Sequence, residues 1–402
     1  MKQFETYDFA IIGGGIIGVA IGIALLEKNP TKKVVILEKE SRPGVHASGR
    51  NSGVIHAGFY YSPESLKAKF CKDGNSEITK YCKDNNLPFK NLGKVVVTKD
   101  ETEVTRLHKL FETGLINKIE IELYPAEKIR DFEPAANTNG DFIWSPTTSI
   151  ADPNKLIISL FEKFQKLGGE ILFKSKSELK LNNSEVSLIV NGSRFKANRI
   201  INAAGGMAAT IARNVGVGKQ YLCLPFLGSY RKSDSVTNSI KRLIYPVPNP
   251  VNPFLGVHTT NTLNGDLKIG PTAFPVIGKE QYRLIDGFTF KEFNEFIAAS
   301  WAMFNSKKTD FPELAKTELL KQFERNILNS SKYLSDVIGS QKSWKKHPGG
   351  IRSQIVNMNT KELEMDYIVT SDKNAVHVLN AVSPGWTSAL PFARWIVESN
   401  SL

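Results

Sequence analysis

The chain has 402 residues, more than the roughly 100 to 200 of a typical domain, so we expect two domains in one continuous fold. Its 41% hydrophobic and 23% charged residues allow a large core and exclude an intrinsically disordered protein. The net charge of +12 is compatible with nucleic acid, an anionic membrane surface or acidic substrates as partners. The lysines are scattered, and no basic stripe with interleaved aromatic residues occurs, so nucleic-acid binding is not expected.

The cysteines and the first apolar segment bear on where the protein works. Cys71, Cys82 and Cys223 form no CxxC pair and no cluster with histidine, so we expect neither a disulfide framework nor a metal site. This usage favours a reducing, cytoplasmic location. The apolar run from Phe9 to Leu26 is long enough to raise the question of a membrane span, but five glycines interrupt it and no secretory cleavage site follows. A strand, a turn and a helix explain this run better.

The N-terminal segment carries a glycine motif between two predicted strands. Residues 7–12 predict a short buried strand, Gly13-Gly14-Gly15-Ile16-Ile17-Gly18 follows, and a helix then extends to about Lys28. A second strand at residues 34–37 ends in Glu38, twenty residues after the last glycine of the motif. Because an isolated glycine motif is weak evidence, the order of these elements is what indicates dinucleotide binding.

Each residue of the motif has a physical role in that interpretation. Gly13 permits the tight turn, Gly15 lets the backbone approach a pyrophosphate, and Gly18 lets the helix pack against the strand. The helix N-terminus offers free N–H groups to the phosphates, and Glu38 is placed to accept hydrogen bonds from the adenosine ribose. The neighbouring residues expected to contact the cofactor are Ile16, Ile17 and Lys39. This unit alone does not distinguish FAD from NAD.

The loop after the second strand is rich in glycine and small hydroxyl side chains. Residues 46–61 read His-Ala-Ser-Gly-Arg-Asn-Ser-Gly-Val-Ile-His-Ala-Gly-Phe-Tyr-Tyr, a composition that lets the chain run close to a diphosphate, although a polar surface loop is the alternative. The stretch resembles the flavin-contacting loop of the D-amino-acid-oxidase-like superfamily of FAD-dependent oxidoreductases, most closely the L-2-hydroxyglutarate dehydrogenase/oxidase group. The resemblance implies FAD contacts from Ser48, Gly49, Arg50, Asn51, Ser52 and Gly53.

The resemblance extends along essentially the whole chain. The segments similar to that group in kind and order are Leu66-Lys67-Ala68-Lys69-Phe70-Cys71 and residues 244–248, 255–258, 349–352 and 380–384. The sequence departs from the group at Trp386, where a small residue is usual, and at Gly205-Gly206-Met207. The resemblance implies an α/β protein in which a Rossmann-like FAD-binding domain is interwoven with an α+β substrate domain built on an antiparallel sheet.

We expect the FAD-binding domain to comprise residues 1–91, 145–222 and 341–402, and the substrate domain to comprise residues 92–144 and 223–340. Periodicity predicts helices over residues 154–167 and 290–304 and at the C-terminus, and strands over residues 94–98, 170–173, 187–190, 199–202, 267–269 and 377–379. The strands at 170–173, 187–190, 199–202 and 377–379 belong with the dinucleotide unit, and the strands at 94–98 and 267–269 belong to the second domain.

Two turns that follow predicted strands are expected to contact the cofactor. The strand at 199–202 runs into Ala204 and Gly205, small residues suited to a close approach. The strand at 377–379 leads to Ser383 and Pro384, which resemble the N-cap and first turn of a helix. The flanking residues expected at the flavin are Gly385, Trp386 and Thr387. A helix N-terminus directed at the flavin's pyrimidine edge would stabilise the anionic reduced form.

Oxidation of a 2-hydroxy acid needs a hydride acceptor, a base for the hydroxyl proton and a clamp for the carboxylate. The implied acceptor is flavin N5. His258 is favoured as the base and His56 as a second catalytic contact, because both lie in segments that match the group and histidine titrates near neutrality; a structural histidine is the alternative. Arg352 is the expected carboxylate clamp, unless it is a surface arginine. Lys67 and Tyr245 either meet a second carboxylate or are ordinary surface and core residues.

The resemblance implies oxidation of L-2-hydroxyglutarate to 2-oxoglutarate, with electrons passing to a quinone-like or other acceptor. The alternatives are an amino-acid or amine oxidase, a glycerol-3-phosphate dehydrogenase-like enzyme of the same superfamily, and a flavin-containing binding protein without turnover. We expect noncovalent FAD, although His46 lies where some relatives link the flavin through a histidine. The basic surface suits peripheral contact with anionic lipid on the inner face of a membrane, which would fit a quinone acceptor.

Overall fold

The computed structural model describes residues 6–183, 185–233, 239–249, 254–283, 287–306, 310–340 and 343–402. Its strands, in chain order, are β1 Tyr7–Ile12, β2 Val34–Leu37, β3 Val54–Ile55, β4 Phe89–Asn91, β5 Lys94–Val97, β6 Glu122–Tyr124, β7 Phe142–Ser145, β8 Ser149–Ala151, β9 Glu170–Leu172, β10 Ser177–Asn182, β11 Glu185–Val190, β12 Ser193–Phe195, β13 Ala197–Asn202, β14 Tyr221–Ser233, β15 Leu243–Pro246, β16 His258–Asn261, β17 Leu267–Gly270, β18 Phe274–Pro275, β19 Lys345–Asn357, β20 Glu362–Leu363, β21 Ile368–Ser371 and β22 Ala375–Asn380. Its helices are α1 Ile16–Lys28, α2 Leu66–Asp84, α3 Glu101–Ile116, α4 Ile129–Phe132, α5 Pro153–Lys166, α6 Ala208–Arg213, α7 Phe290–Phe304, α8 Phe311–Leu320, α9 Glu324–Asn329, α10 Asp336–Ser340 and α11 Ala389–Ser399.

The first layer is a mostly parallel sheet in the order β21-β22-β13-β1-β2-β9. β1 is central, with Ile12 opposite Leu37 of β2 and Asn202 of β13. α1 packs against α5 and α11, and their apolar side chains share one core with the sheet. Strands buried in this way are continuous apolar runs, which is the pattern that predicted β1 and β2. Because parallel strands end at the same edge, the turns after β1, β13 and β22 lie together.

The second layer consists of two sheets in which neighbouring strands are antiparallel, except β15 and β5, which are parallel. One has the order β16-β17-β14-β19-β20, with β18 also paired to β14, and another has the order β15-β5-β7-β6. β14 and β19 pair along most of their length, from Tyr221 opposite Asn357 to Lys232 opposite Lys345. Together with the helices and the parallel sheet, these sheets confirm the expected α/β class with an antiparallel second sheet.

The position of β19 bears on the expected domain boundaries. We assigned the segment after residue 341 to the FAD-binding domain, but Lys345–Asn357 completes the antiparallel sheet before the chain returns to β22. Its sequence contains a proline and two glycines and gives no strand signal of its own, so its pairing depends on β14, a strand more than a hundred residues earlier. The division into two domains remains a proposal, with β19 as a strand of the antiparallel sheet.

The predicted elements of the dinucleotide unit occur where the sequence indicated them. The apolar run from Phe9 to Leu26 divides into β1, a turn and α1, as expected. Among the described residues, no helix combines the length and hydropathy that crossing a membrane requires.

The start of the last helix differs from the prediction. α11 begins at Ala389, so the expectation of a helix N-terminus at Ser383 and Pro384 is wrong. The backbone there forms consecutive turns instead, in which Gly385 N–H donates to Val382 (3.0 Å) and Ser388 N–H donates to Pro384 (3.0 Å). A Cβ at Gly385 would overlap the carbonyl oxygen of residue 381, so the tight turn needs glycine at that position.

Candidate active site

A cavity of about 680 Å³ lies between the edge of the parallel sheet and the face of the antiparallel sheet. On one side it is lined by the turns after β1, β2, β13 and β22, where the carboxyl ends of the strands meet. The antiparallel sheets contribute Tyr230, Tyr245, His258 and Arg352. The cavity therefore joins an elongated, glycine-lined groove to a pocket with ionisable side chains.

The turn from β1 into α1 can be built only with glycine at two positions. Gly13 has φ +109°, and a Cβ there would lie 2.5 Å from the carbonyl oxygen of Ala203. A Cβ at Gly18 would overlap the carbonyl oxygen of Gly13, so α1 packs against the turn only because Gly18 has no side chain. Gly15 is the N-cap residue of α1, and Ser48 accepts a hydrogen bond from the N–H of residue 16 (2.9 Å). These features form a groove at a helix N-terminus that fits a pyrophosphate.

Glu38 is fixed beside this groove. Its carboxylate accepts hydrogen bonds from Gly14 N–H (2.6 Å) and Glu40 N–H (2.9 Å), and the side chain is buried in the cavity wall. A carboxylate has further lone pairs for a ribose hydroxyl, so this role for Glu38 remains open as a proposal. Gly14 was not among the predicted residues, although a Cβ there would lie 2.8 Å from Glu38 Oε2.

The loop after β2 lines the groove with backbone and small side chains. Arg50 lies over the ring of Tyr282, 4.1 Å from its centroid, and its Nε–H donates to Val45 (2.9 Å). The amide of Asn51 donates to the carbonyl of Ser48 (2.8 Å), which holds the loop in a tight conformation. Other predicted cofactor contacts that line the cavity are Ile16, Ile17, Lys39, Ser52, Ala204, Gly205, Ser383, Pro384, Gly385, Trp386 and Thr387.

Four predicted residues do not line the cavity. Gly18, Gly49 and Gly53 act through the backbone, and Gly53 has φ +78°. Lys67 is buried in the first turn of α2, where its N–H donates to Asp366 (3.1 Å) and burial lowers its pKa to about 8. The structure therefore does not bring the Lys67 side chain to the cavity wall with Tyr245, and the second carboxylate needs another partner.

His46 lies in a charged cluster at one end of the groove. Its Nδ1 is 2.8 Å from the hydroxyl of Tyr282 and its Nε2 is 2.9 Å from Glu40, so both ring nitrogens have partners. Lys39 pairs with Glu280 and lies 3.6 Å from Glu40. Glu40, His46 and Glu280 lie close enough together to hold a metal ion, but the ammonium of Lys39 already pairs with both carboxylates.

The tautomer of His258 is set by its surroundings. Its Nδ1 lies 2.8 Å from the carbonyl oxygen of Gly256, and because a carbonyl only accepts, Nδ1 carries the proton and Nε2 the lone pair. The ring stacks on Tyr245 at 3.8 Å between centroids. Burial, followed by the positive charges of Arg352 and Lys94, lowers the pKa of His258 to about 3. The imidazole is therefore neutral near pH 7, with a free proton acceptor.

His56 and Trp386 present polar atoms that the protein itself does not satisfy. His56 Nδ1 and Trp386 Nε1 are buried and have no hydrogen-bond partner among the described residues, and both side chains line the cavity. Burial and the charge of Lys94 lower the pKa of His56 to about 3, so this ring is neutral as well. Because unsatisfied buried polar atoms are costly, such a wall fits a cavity that is filled by a polar cofactor and substrate.

Two cations near His258 have no carboxylate partner among the described residues. Arg352 is half-buried and lies over the ring of Phe254, 5.5 Å from its centroid. Lys268 is buried, and its ammonium lies 3.5 Å from the carbonyl oxygen of Ser52 and 5.5 Å from the ring centroid of Tyr230. Both cations contribute to the low pKa of His258. Sequence reasoning missed Lys268, although a lysine flanked by Leu267 and Ile269 in an apolar strand was a usable signal.

Comparison with known proteins agrees with this geometry. The family model described as FAD dependent oxidoreductase matches residues 8–399. An L-2-hydroxyglutarate dehydrogenase of Escherichia coli (strain K12) is 33% identical over 98% of this chain and 92% of its own length, and one of Indibacter alkaliphilus is 34% identical over 98% of both.

Solved structures share the fold. L-α-glycerophosphate oxidase from Mycoplasma pneumoniae with FAD bound has a TM-score of 0.77 at 22% identity, covering 99% of this chain and 95% of that one. Glycine oxidase from Geobacillus kaustophilus has a TM-score of 0.72 at 15% identity, covering 98% and 94%. The family match confirms the resemblance drawn from the sequence and the choice of FAD over NAD. Its glycine-lined groove has the backbone N–H groups and close approach that the pyrophosphate of FAD would need. The chain belongs to the family of FAD-dependent oxidoreductases.

Proposed function

We propose that the enzyme oxidises L-2-hydroxyglutarate to 2-oxoglutarate. Relatives named L-2-hydroxyglutarate dehydrogenase, which match nearly the full chain at 33–34% identity, support this substrate. The observation that carries the proposal is a pair of cations near His258, Arg352 and Lys268, that have no carboxylate partner among the described residues. A substrate with two carboxylates would supply one anion to each of these cations.

The two cations are proposed to bind different carboxylates of the substrate. Arg352 binds the C1 carboxylate, because a guanidinium donates two parallel hydrogen bonds to a carboxylate. Lys268 attracts the distal carboxylate in place of Lys67. Neither lysine is itself a lining residue, but the Lys268 ammonium lies 3.5 Å from the carbonyl oxygen of Ser52 and 5.5 Å from the ring centroid of Tyr230, both of which line the cavity. The Lys67 ammonium instead lies over Tyr61 and Tyr367, which do not line it. Tyr245, stacked on His258, keeps its proposed place as a substrate contact.

His258 removes the hydroxyl proton with its free Nε2, while Nδ1 keeps its bond to Gly256. A dianionic substrate offsets the charges of Arg352 and Lys268 that help to lower the pKa of His258, so the pKa rises when substrate binds and the base becomes stronger. His56 donates to or accepts from the substrate through the unsatisfied Nδ1. FAD, when bound, supplies the acceptor for two electrons.

The flavin is proposed to be noncovalently bound. Both ring nitrogens of His46 are occupied by Tyr282 and Glu40, which leaves neither free for a bond to the cofactor. Acid precipitation of the protein is expected to release the yellow colour into the supernatant, and a yellow pellet would contradict this. We further propose a cytoplasmic location with peripheral contact to anionic lipid and a quinone-like or other final acceptor, which the net charge of +12 supports.

Anaerobic flavin reduction by matched substrates tests the proposal. L-2-hydroxyglutarate and L-2-hydroxypentanoate differ only in the distal carboxylate, and we expect the diacid to reduce the flavin much faster. Lys268→Met is expected to lower this preference by about 2 kcal/mol, roughly 30-fold, because it removes a hydrogen bond between charged groups. Lys67→Met is the matched control and is expected to keep the preference. Faster reduction by L-glutamate or by glycerol 3-phosphate would favour the alternative functions.

A further inference from the structure

Helix α7 is apolar on two opposite faces. One face is buried against β14 and β19 and includes Ala299, Ala302 and Met303. The other face carries Phe290, Phe293, Ile297, Trp301 and Phe304, whose exposed fractions are 79%, 38%, 50%, 61% and 54%. With 3.6 residues per turn, these five side chains fall within an arc of about 80°, and no charged residue lies among them. We call these five residues the outer stripe.

The outer stripe is a formed surface and not a frayed end. α7 starts with a capping box, in which Thr289 accepts from Glu292 N–H (3.2 Å) and the Glu292 carboxylate accepts from Thr289 N–H (3.0 Å). Phe288, itself exposed, stacks on Phe293 at 6.3 Å and extends the apolar surface beyond the helix. Single exposed apolar residues are ordinary, but a contiguous aromatic row marks a surface that contacts something other than water.

We propose that the outer stripe docks on an anionic lipid bilayer, with α7 lying in the plane of the headgroups. Helices that bind in this way combine Trp and Phe on one face with flanking cations. Lys291 is exposed next to the first phenylalanine of the stripe, and the ammonium of Lys361 lies 5.2 Å from the ring centroid of Trp301.

Charge favours lipid over a second copy of the chain as the occupant of this surface. Each molecule has a net charge of +12, so two copies repel each other, whereas an anionic membrane attracts the same charges at about 1 kcal/mol for each nearby lysine or arginine. The lysines beside the outer stripe would face the headgroups, and the aromatic side chains would enter the boundary between headgroups and acyl chains.

The position of α7 connects the docking surface to the cavity. Thr289, Lys291 and Glu292, at the start of the helix, line the cavity that holds FAD. A docked enzyme therefore has its cavity next to the lipid surface, which would bring it close to an apolar electron acceptor dissolved in the bilayer. The docking assigns the peripheral lipid contact proposed above to α7 and does not depend on the proposed substrate; access to an apolar acceptor rests on the proposed function.

Vesicle sedimentation of the holoenzyme tests the docking. The double variant Phe290→Gln/Trp301→Gln removes two exposed members of the outer stripe, and Leu115→Gln/Ile116→Gln, which replaces two similarly exposed apolar residues of α3, is the matched control. We expect the wild type and the control to bind vesicles of equimolar phosphatidylcholine and phosphatidylglycerol, and the double variant to bind at least ~10-fold more weakly. Vesicles with brominated acyl chains are expected to quench Trp301, and Trp301→Phe should lose this quenching.

Three results would overturn the inference. The first is equal binding by the double variant and the wild type. The second is binding that high salt abolishes completely, because contact through apolar insertion is screened much less than purely ionic contact. The third is a wild-type dimer that the double variant converts to monomer, which would identify a second copy as the occupant. Flavin content and turnover with a soluble dye acceptor check that each variant is folded, and loss of turnover on L-2-hydroxyglutarate with intact vesicle binding would reject the proposed function alone.

Discussion

Replacing Lys94 by methionine is expected to stabilise the protein and to weaken binding of an anionic substrate. The ammonium of Lys94 is fully buried and has no hydrogen-bond partner among the described residues. It lies 4.4 Å from the ring centroids of Phe59 and Tyr60 and 4.9 Å from that of Tyr245. Burial lowers the pKa of Lys94 from 10.5 to about 7. The chain thus holds a cation behind the proposed site at a cost in stability.

The size and the pH dependence of the effect follow from this pKa. At pH 7 the unfolded chain keeps the proton on Lys94 while the folded chain keeps it only in part, a difference of about 4 kcal/mol against folding. Cation–π attraction to the three rings offsets about 2 kcal/mol of this cost. Because methionine fills a similar space, the free energy of unfolding of Lys94→Met should exceed that of the wild type by roughly 2 kcal/mol. The penalty is complete below pH 7 and disappears as the pH rises toward 10.5, where the unfolded lysine also loses its proton.

Urea unfolding at pH 7 and at pH 10 measures the difference in stability between Lys94→Met and the wild type. We expect the midpoint of unfolding of Lys94→Met to lie at a higher urea concentration than that of the wild type at pH 7, and at nearly the same concentration at pH 10. Lys72→Met, at an exposed position of α2, is the control and should change stability by less than about 0.5 kcal/mol. KM of Lys94→Met for the dianionic substrate should rise, because Lys94 contributes positive potential at His56 and His258, which line the cavity. A less stable variant, or a gain that does not shrink with pH, would refute this reasoning.

The remaining predictions concern the groove and the pocket. Gly18→Ala should yield colourless protein, since its Cβ would overlap a backbone carbonyl oxygen, whereas Gly287→Ala, with open space around the Cβ, should remain yellow. His258→Gln should keep the flavin but slow its reduction by about 10²-fold or more, as measured by anaerobic stopped flow; an unchanged rate would exclude His258 as the base. Arg352→Lys should raise KM for monoacids and diacids alike, in contrast to Lys268→Met, which should affect diacids only; steady-state kinetics on both substrate types distinguishes the two roles.

The dinucleotide half could be predicted because its signals are local. The steric demands at Gly13 and Gly18 and the buried strands on either side are set by residues close together in sequence. The same holds for α7, which was predicted over residues 290–304 and occupies those residues in the structure. A local signal failed at Ser383, where serine followed by proline is typical of a helix start, but the tight turn at Gly385 delays the helix.

The substrate half could be predicted only in part, because it depends on strand register. Lys67 and Lys268 look alike in sequence, and only the pairing of Thr260 with Lys268 places Lys268 on the strand pair that carries His258. The pairing of β14 with β19 joins distant segments, and it is this pairing that brings Arg352 to the cavity. The apolar neighbours of Lys268 indicate a buried lysine, but no local pattern says which strand it pairs with. His258 and Arg352 were therefore found through the resemblance and Lys268 through the structure.

Anaerobic titration of the yellow holoenzyme with L-2-hydroxyglutarate tests the central proposal most directly. We expect the absorbance of oxidised flavin to disappear and 2-oxoglutarate to form in proportion to the flavin reduced. Unchanged absorbance with this diacid, together with bleaching by an amino acid or by glycerol 3-phosphate, would contradict the proposed function.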